Sequence, residues 1–174
     1  HLHRAGGIRI VSLGPTDIRC MLIPLHERRL LLPNAAVAEI IGYRDPEVIA
    51  DAGAGVQGTV SWRQREVPVI DFERLMGAGE RPPGIRQRIA VCHVLTTDGG
   101  WPLIGLVSQG IPRLLRLTRN TIQQATSGPH GDSAIQMRIT VGGETLVVPD
   151  FNFLQARLGS DWPQSQSRKS PQSV

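Results

Sequence analysis

Ser61-Trp62-Arg63-Gln64-Arg65-Glu66-Val67-Pro68-Val69-Ile70-Asp71-Phe72-Glu73-Arg74-Leu75 is the stretch from which the fold is read. Val67, Val69 and Ile70 are β-branched and close enough together to fill a strand with a buried face. Pro68 has no N–H to give a neighbouring strand, so it predicts a sheet edge or a bulge. Asp71 ends the strand. Standing before Phe72 to Met76, with Gly77 just beyond, it predicts a capped helix of about one and a half turns. Upstream, Gly58 to Trp62 is a second extended run, and the polar Arg63 to Glu66 between the two runs reads as a hairpin turn, which places Arg63 at an exposed strand end.

The same grammar returns later in the chain. Ile135 to Val141 and Glu144 to Val148 form a hairpin about Gly142-Gly143, and Asp150 then caps a helix, Phe151 to Leu158, ended by Gly159. The two Asp-Phe-x-x-Leu segments, at Asp71 and Asp150, stand 79 residues apart. A weaker echo sets Val37, Ile40 and Ile41 against Ile111, Leu114 and Leu115, each 74 residues on. Two similar β units, each closed by a short capped helix, would bury their inner faces against one another. Gly77-Ala78-Gly79-Glu80-Arg81-Pro82-Pro83-Gly84 is the strongest punctuation in the chain and predicts that the halves meet near residues 77–87.

Further elements follow from local pattern. Ile8 to Val11 reads as a short strand, Arg19 to Pro24 and Arg29 to Leu32 as a hairpin about His26-Glu27-Arg28, and Ala35 to Ile41 as a helical turn running into a strand. Glu47 to Val56 stays ambiguous between loop and weak helix. Arg88 to Thr96 and Trp101 to Val107 form another hairpin, turning at Thr97 to Gly100, and Ile111 to Leu117 is one more apolar segment. Thr126 to Ser133 reads as a loop. Residues 1–17 are expected as an N-terminal extension, 18–159 as the folded domain and 160–174, rich in Ser, Gln and Pro, as a disordered tail.

Composition narrows the class. The 174 residues suffice for one core without disulfides or metal, and 4% aromatic content with nineteen Gly and thirteen Pro favours short strands and many turns. The formal net charge is +4 and the pI about 10, yet the charge is dispersed: one Lys, Lys169, stands beside eighteen Arg that alternate with acids and apolar residues. Cys20 and Cys92 form neither a CxxC nor two pairs, and they read as buried, reduced core residues of a cytosolic protein. No apolar run approaches the roughly 20 residues of a bilayer-spanning helix, so no membrane insertion is expected.

Candidate chemistry fares poorly. Cys92 and His93 are strand neighbours and point to opposite faces, so they cannot form a nucleophile–base pair. His26 and His130 lack ligand spacing, and no metal or cofactor is expected. Ser108 lacks the Gly-x-Ser-x-Gly spacing of a nucleophile elbow, and the glycine pairs do not open helices and so cradle no phosphate. Asp71 and Asp150 are helix caps before they are acid–base candidates. No catalysis is expected. Trp62 and Arg63 remain as the kind of pair that makes a binding surface, an aromatic platform beside a planar fork.

Those residues also carry a resemblance. Val37-Ala38-Glu39-Ile40-Ile41-Gly42-Tyr43, Gly58, Arg63, Val67-Pro68-Val69-Ile70-Asp71-Phe72, Gly105-Leu106-Val107, Leu117-Thr118 and Ile122 occur in the order and spacing of a CheW-like domain, the adaptor module of bacterial chemosensory arrays. The resemblance covers roughly Arg19 to Gly159. It implies a mainly β fold of two small interlocked five-stranded β-barrel (SH3-like) subdomains with short helices. It also implies a non-enzymatic adaptor that couples the helical tip of a chemoreceptor (methyl-accepting chemotaxis protein) to the regulatory domain of a CheA-type histidine kinase, in the cytoplasm and attached to membrane receptor arrays through its partners. On matching positions Val37, Glu39, Gly58 and Arg63 would meet a helix lying between the barrels, Val37 supplying apolar contact, Gly58 close backbone approach and Arg63 charged hydrogen bonds; Trp62 stands beside them. The kinase would use barrel ends.

The chain departs from the family where Ser61, Trp62 and Gln64 replace the usual Asn, Leu and Gly, and where Ser108 replaces an acid. Leu31-Leu32-Pro33-Asn34 is most similar to auxiliary members of type IV pilus (twitching motility) systems. A competing reading is a basic small-barrel module that binds single-stranded nucleic acid through Trp62, Trp101 and scattered Arg. A hydrolase using Ser108 or Cys92 is a third.

Overall fold

Eleven strands and two short helices account for most of the residues that the structure, a computed structural model, describes: 17–95, 100–127 and 134–159. Their order is β1 (Ile18–Pro24), β2 (Arg29–Pro33), a single 3-10 turn (Asn34–Ala36), β3 (Val37–Gly42), β4 (Val56–Trp62), β5 (Arg65–Ile70), α1 (Phe72–Leu75), β6 (Arg88–His93), β7 (Leu103–Ser108), β8 (Arg113–Leu117), β9 (Ile122–Ser127), β10 (Ile135–Val141), β11 (Glu144–Pro149) and α2 (Phe151–Leu158). The expected strand at Ile8 to Val11, the turn at Thr97 to Gly99, most of the loop from 126 to 133 and the tail from 160 lie outside the described residues.

The strands form two sheets, ordered β8-β1-β2-β11-β10-β9 and β3-β6-β7-β5-β4. Neither is built from one half of the chain. The first hairpin, β1–β2, pairs with strands from the second half, and β6–β7 pairs with strands from the first. Exchanging β1 with β6, β2 with β7, β3 with β8, β4 with β10 and β5 with β11 converts one sheet order into the other, with β9 left over. The sequence repeat is therefore visible in the topology. β4 and β5 precede β10 and β11 by 79 positions throughout, and the weaker echo maps edge strand β3 onto edge strand β8. Even the single parallel junction of each sheet corresponds, β5 with β7 and β11 with β2. The sixth strand is β9, polar and largely exposed at its edge.

One local expectation is corrected. β5 is interior, between β7 and β4, so Pro68 does not mark a sheet edge. Proline is tolerated because the ladder to β7 registers only Val69 and Ile70, leaving Pro68 beyond its end. The β4–β5 register does shift, between Val56 and Gly58, on the partner strand.

Three apolar clusters fill the molecule. One lines the inside of the six-stranded sheet, with Cys20, Leu22, Leu31, Leu117, Met137, Ile139, Leu146 and Val148. A second lines the five-stranded sheet, with Val60, Val67, Val69, Ile89, Val91, Leu103 and Val107. The third lies between the sheets, where Ile23, Leu30 and Leu32 meet Ile70, Ala90, Cys92, Ile104 and Leu106, together with Phe72 and Leu75 of α1 and Leu154 and Leu158 of α2. Strands that serve an inner and a shared cluster are apolar on both faces, which is why β2, β6 and β7 read as continuous apolar runs.

Each helix ties its own sheet to the hairpin of the other. Asp71 and Asp150 cap α1 and α2 as expected, accepting from Arg74 N and from Asn152 N and Phe153 N. Glu73 of α1, 5% exposed, accepts the backbone N–H groups of His26, Glu27 and Arg28 at 3.0, 2.8 and 3.0 Å, closing the β1–β2 turn. Gln155 of α2 does the corresponding job for the β6–β7 hairpin, accepting from Trp101 N at 3.1 Å and donating to Trp101 O at 2.5 Å. The connection after α1 is pinned to the same region. Pro82 O lies 2.9 Å from His26 Nε2, Arg81 pairs with Glu27 at 3.0 Å, and Gly84 N donates to Gln109 Oε1 at 2.8 Å.

Candidate receptor-binding site at the mouth of the five-stranded sheet

β3 and β4 are opposite edges of the five-stranded sheet, yet side chains from the two meet. Trp62 Nε1 donates to Glu39 Oε1 at 2.8 Å, and an Arg63 guanidinium N–H donates to the same oxygen at 3.4 Å. The Arg63 guanidinium carbon also sits 4.9 Å from the centroid of the Trp62 ring, a cation–π arrangement. The sheet is thus curled enough for its two free edges to be stapled together at one end.

The backbone explains how Glu39 reaches this position. Val37 pairs with Cys92 and Glu39 with Val91, so β3 has one extra residue, Ala38, in a bulge. A spacing of two would put Val37 and Glu39 on one face of a regular strand. The bulge separates them. Val37 packs on the shared central cluster with Cys92, whereas Glu39 stands opposite Val91, on the barrel-interior face on which Trp62 also packs.

The turn that carries Arg63 is two residues long and not four. Trp62 pairs with Arg65, and Arg63 and Gln64 have φ of 50° and 65°. Positive φ at both central positions defines the type I′ turn that suits the twist of paired strands. It is normally filled by Gly, Asn or Asp, and a long side chain there is strained by about 1 kcal/mol. Arg63 therefore projects from a stiff hairpin tip, with 71% of its side chain exposed against 42% for Glu39. The cation is the more exposed of the pair.

Of the five residues singled out in the sequence, Glu39, Trp62 and Arg63 come together. Val37 shares β3 with Glu39 but turns toward the seam between the sheets. Gly58 is buried, and its need for glycine arises within the chain. At φ 135° a Cβ on residue 58 would lie 2.1 Å from Glu47 O, because the segment after β3 crosses here and exchanges hydrogen bonds between Glu47 and Thr59. The Glu39–Trp62 bond could not be anticipated from spacing, because the two residues are 23 apart on strands that do not pair.

The other candidate chemistry is placed as follows. Cys92 is fully buried and His93 exposed on the opposite face, as strand alternation requires. Burial pushes the Cys92 thiol up to about 12 and the Cys20 thiol up to about 11, so neither is a thiolate near neutrality. Ser108 is buried and not at the surface. Its hydroxyl donates to the backbone carbonyl of Gly110 and lies 3.4 Å from Pro24 O, bonded to no base. Trp101 is only 5% exposed, which removes one of the two aromatic platforms of the nucleic-acid reading. Several arginines are engaged locally: Arg29 with Glu144, Arg74 with Glu80 and Arg116 with Asp17. Among the described residues no His, Cys, Asp and Glu cluster is arranged to hold a metal ion, and no helix is long and apolar enough to cross a membrane.

Comparison with known proteins bears on this arrangement. No individual curated protein matches the chain. Among solved structures, the chain is similar to the scaffolding protein TtCheW from Thermoanaerobacter tengcongensis, with a TM-score of 0.67 and 18% identity over 82% of this chain and 90% of that one. At that identity the likeness establishes the fold. The family model described as a CheW-like domain matches residues 19–157, spanning both sheets, both helices and the stapled hairpin, and the chain belongs to the CheW-like domain family.

Proposed function

We propose that this protein is a non-enzymatic coupling scaffold that joins the helical tip of a chemoreceptor to the regulatory domain of a CheA-type histidine kinase. The receptor helix lies along the seam beside β3, with Val37 as apolar contact and the Glu39–Trp62–Arg63 cluster as its polar anchor; Gly58 shapes the wall behind by admitting the Glu47 carbonyl. The kinase domain docks on barrel ends. The observation that carries this reading is the hairpin tip. A CheW-like chain holds Arg63 in a left-handed conformation, braced by an indole and a carboxylate, and points its guanidinium outward. A fixed, exposed planar fork with spare N–H donors suits a carboxylate on a helix surface. The protein acts in the cytoplasm, attached to membrane receptor arrays through its partners. The Leu31-Leu32-Pro33-Asn34 segment, at the end of β2, supports assignment to a twitching-motility system.

The test is calorimetry with a purified receptor signalling hairpin and, separately, the kinase regulatory domain. Arg63→Glu should weaken receptor binding at least about tenfold, leave kinase binding unchanged and leave the melting temperature within a degree or two. Normal receptor binding by that variant would remove Arg63 from the site.

A further inference from the structure

Trp62 has a role at this site that its position alone does not suggest. Glu39 Oε1 is the acceptor for both the indole N–H and the Arg63 guanidinium, so the chain's own donors occupy that oxygen. The indole face meanwhile lies under the guanidinium. A leucine at position 62 could fill the same apolar space against Val60 and its neighbours, but it could neither hold the carboxylate nor support the cation.

We infer that Trp62 sets which charge this site accepts from its partner. By engaging Glu39 Oε1 across the two sheet edges and stacking beneath Arg63, it leaves the guanidinium as the more exposed charge of the hairpin tip. The site then selects a helix that presents a carboxylate beside its apolar stripe and disfavours one that presents an ammonium or guanidinium. Arg65, exposed and paired with Trp62 across the turn, adds to the same sign. Without the indole, Glu39 is released toward solvent, Arg63 loses its platform, and the tip becomes a mobile zwitterion with little preference. Trp62 is a positioning residue, acting through Glu39 and Arg63. The inference rests on the reading of this hairpin as the receptor site and specifies the partner's chemistry there.

Two measurements test it. In the free protein, the Trp62 indole N–H resonance should shift and exchange faster in Glu39→Ala but change little in Glu39→Gln, which keeps an acceptor. An indole unaffected by Glu39→Ala overturns the inference regardless of any partner. For specificity, two synthetic helical hairpin peptides are compared, identical in apolar stripe but carrying Glu in one and Lys in the other at positions flanking it. The native protein should bind the Glu peptide at least about tenfold more tightly. Trp62→Leu should bring the ratio to within about threefold, and Trp62→Phe, which keeps the ring but lacks the N–H, should fall between. A ratio unchanged in Trp62→Leu, with the variant still folded by its melting curve, overturns the inference and leaves the receptor site standing. Binding of neither peptide, with the indole still responding to Glu39→Ala, contradicts the receptor assignment itself and the specificity with it.

Discussion

The molecule contains the same hairpin twice and builds it from different residues. In the six-stranded sheet, β10 and β11 are joined by Gly142-Gly143 with φ of 57° and 80°; in the five-stranded sheet, β4 and β5 are joined by Arg63-Gln64 with φ of 50° and 65°. The backbone is the same, so the turn geometry belongs to the fold. The glycines meet it without strain, whereas Arg63 and Gln64 do so against their own preference. Only the strained copy carries a Trp before the turn and a carboxylate from the opposite edge to meet it; Val141 stands in the corresponding place in the other. Side chains kept where glycine would be easier are what a binding site at this turn would require, and the contrast supports the proposed receptor site at the five-stranded sheet.

The helix ties differ in a parallel way. Glu73 closes its hairpin with a charged acceptor shared among three backbone N–H groups, while Gln155 uses a neutral amide and a single residue, Trp101. Removing Glu73 strips three backbone N–H groups of their acceptor at a part-buried turn, whereas removing Gln155 leaves one donor and one acceptor. Glu73→Ala should therefore lower unfolding free energy by about 3 kcal/mol and Gln155→Ala by about 1 kcal/mol, measured by urea denaturation. Equal losses would show that the two ties are energetically equivalent despite their chemistry. Arg63 and Gln64 provide a smaller test of the turn comparison. Gln64→Gly should stabilise the protein by up to about 1 kcal/mol, whereas Gly143→Ala should destabilise it by a similar amount. A Gln64→Gly variant that loses stability would mean that the first turn is not strained.

Much of this architecture can be read along the chain because it rests on local rules. Asp71 and Asp150 announce their helices through capping chemistry, Gly142-Gly143 announces a two-residue turn, and the repeat at 79 residues anticipates a topology in which one sheet order maps onto the other. Where local rules compete with tertiary context the reading fails. Pro68 is tolerated in an interior strand because the parallel ladder beside it registers only Val69 and Ile70, a fact of pairing and not of composition. β9 is too polar to announce itself, since an exposed edge strand such as Ile122-Gln123-Gln124-Ala125-Thr126-Ser127 has no buried face to impose alternation. Arg63-Gln64 conceals a tight turn because neither residue favours positive φ. The site shares this limit. Arg63 at a hairpin tip is visible from the sequence, but the Trp62–Glu39 staple exists only because the sheet curls, and the bulge at Ala38 that aims Glu39 has no signature of its own. Glu73 reads as an ordinary acid in a first helical turn, and its three hydrogen bonds come from residues more than forty positions away.

The most direct test of the functional asymmetry is amide and indole chemical-shift mapping of the labelled protein titrated with a receptor signalling hairpin, because the two turns serve as each other's control. The account predicts perturbations at Val37, Glu39, Trp62 and Arg63, with Val141, Gly142 and Gly143 unmoved. Perturbations centred on the glycine turn, or spread equally over both, would contradict it.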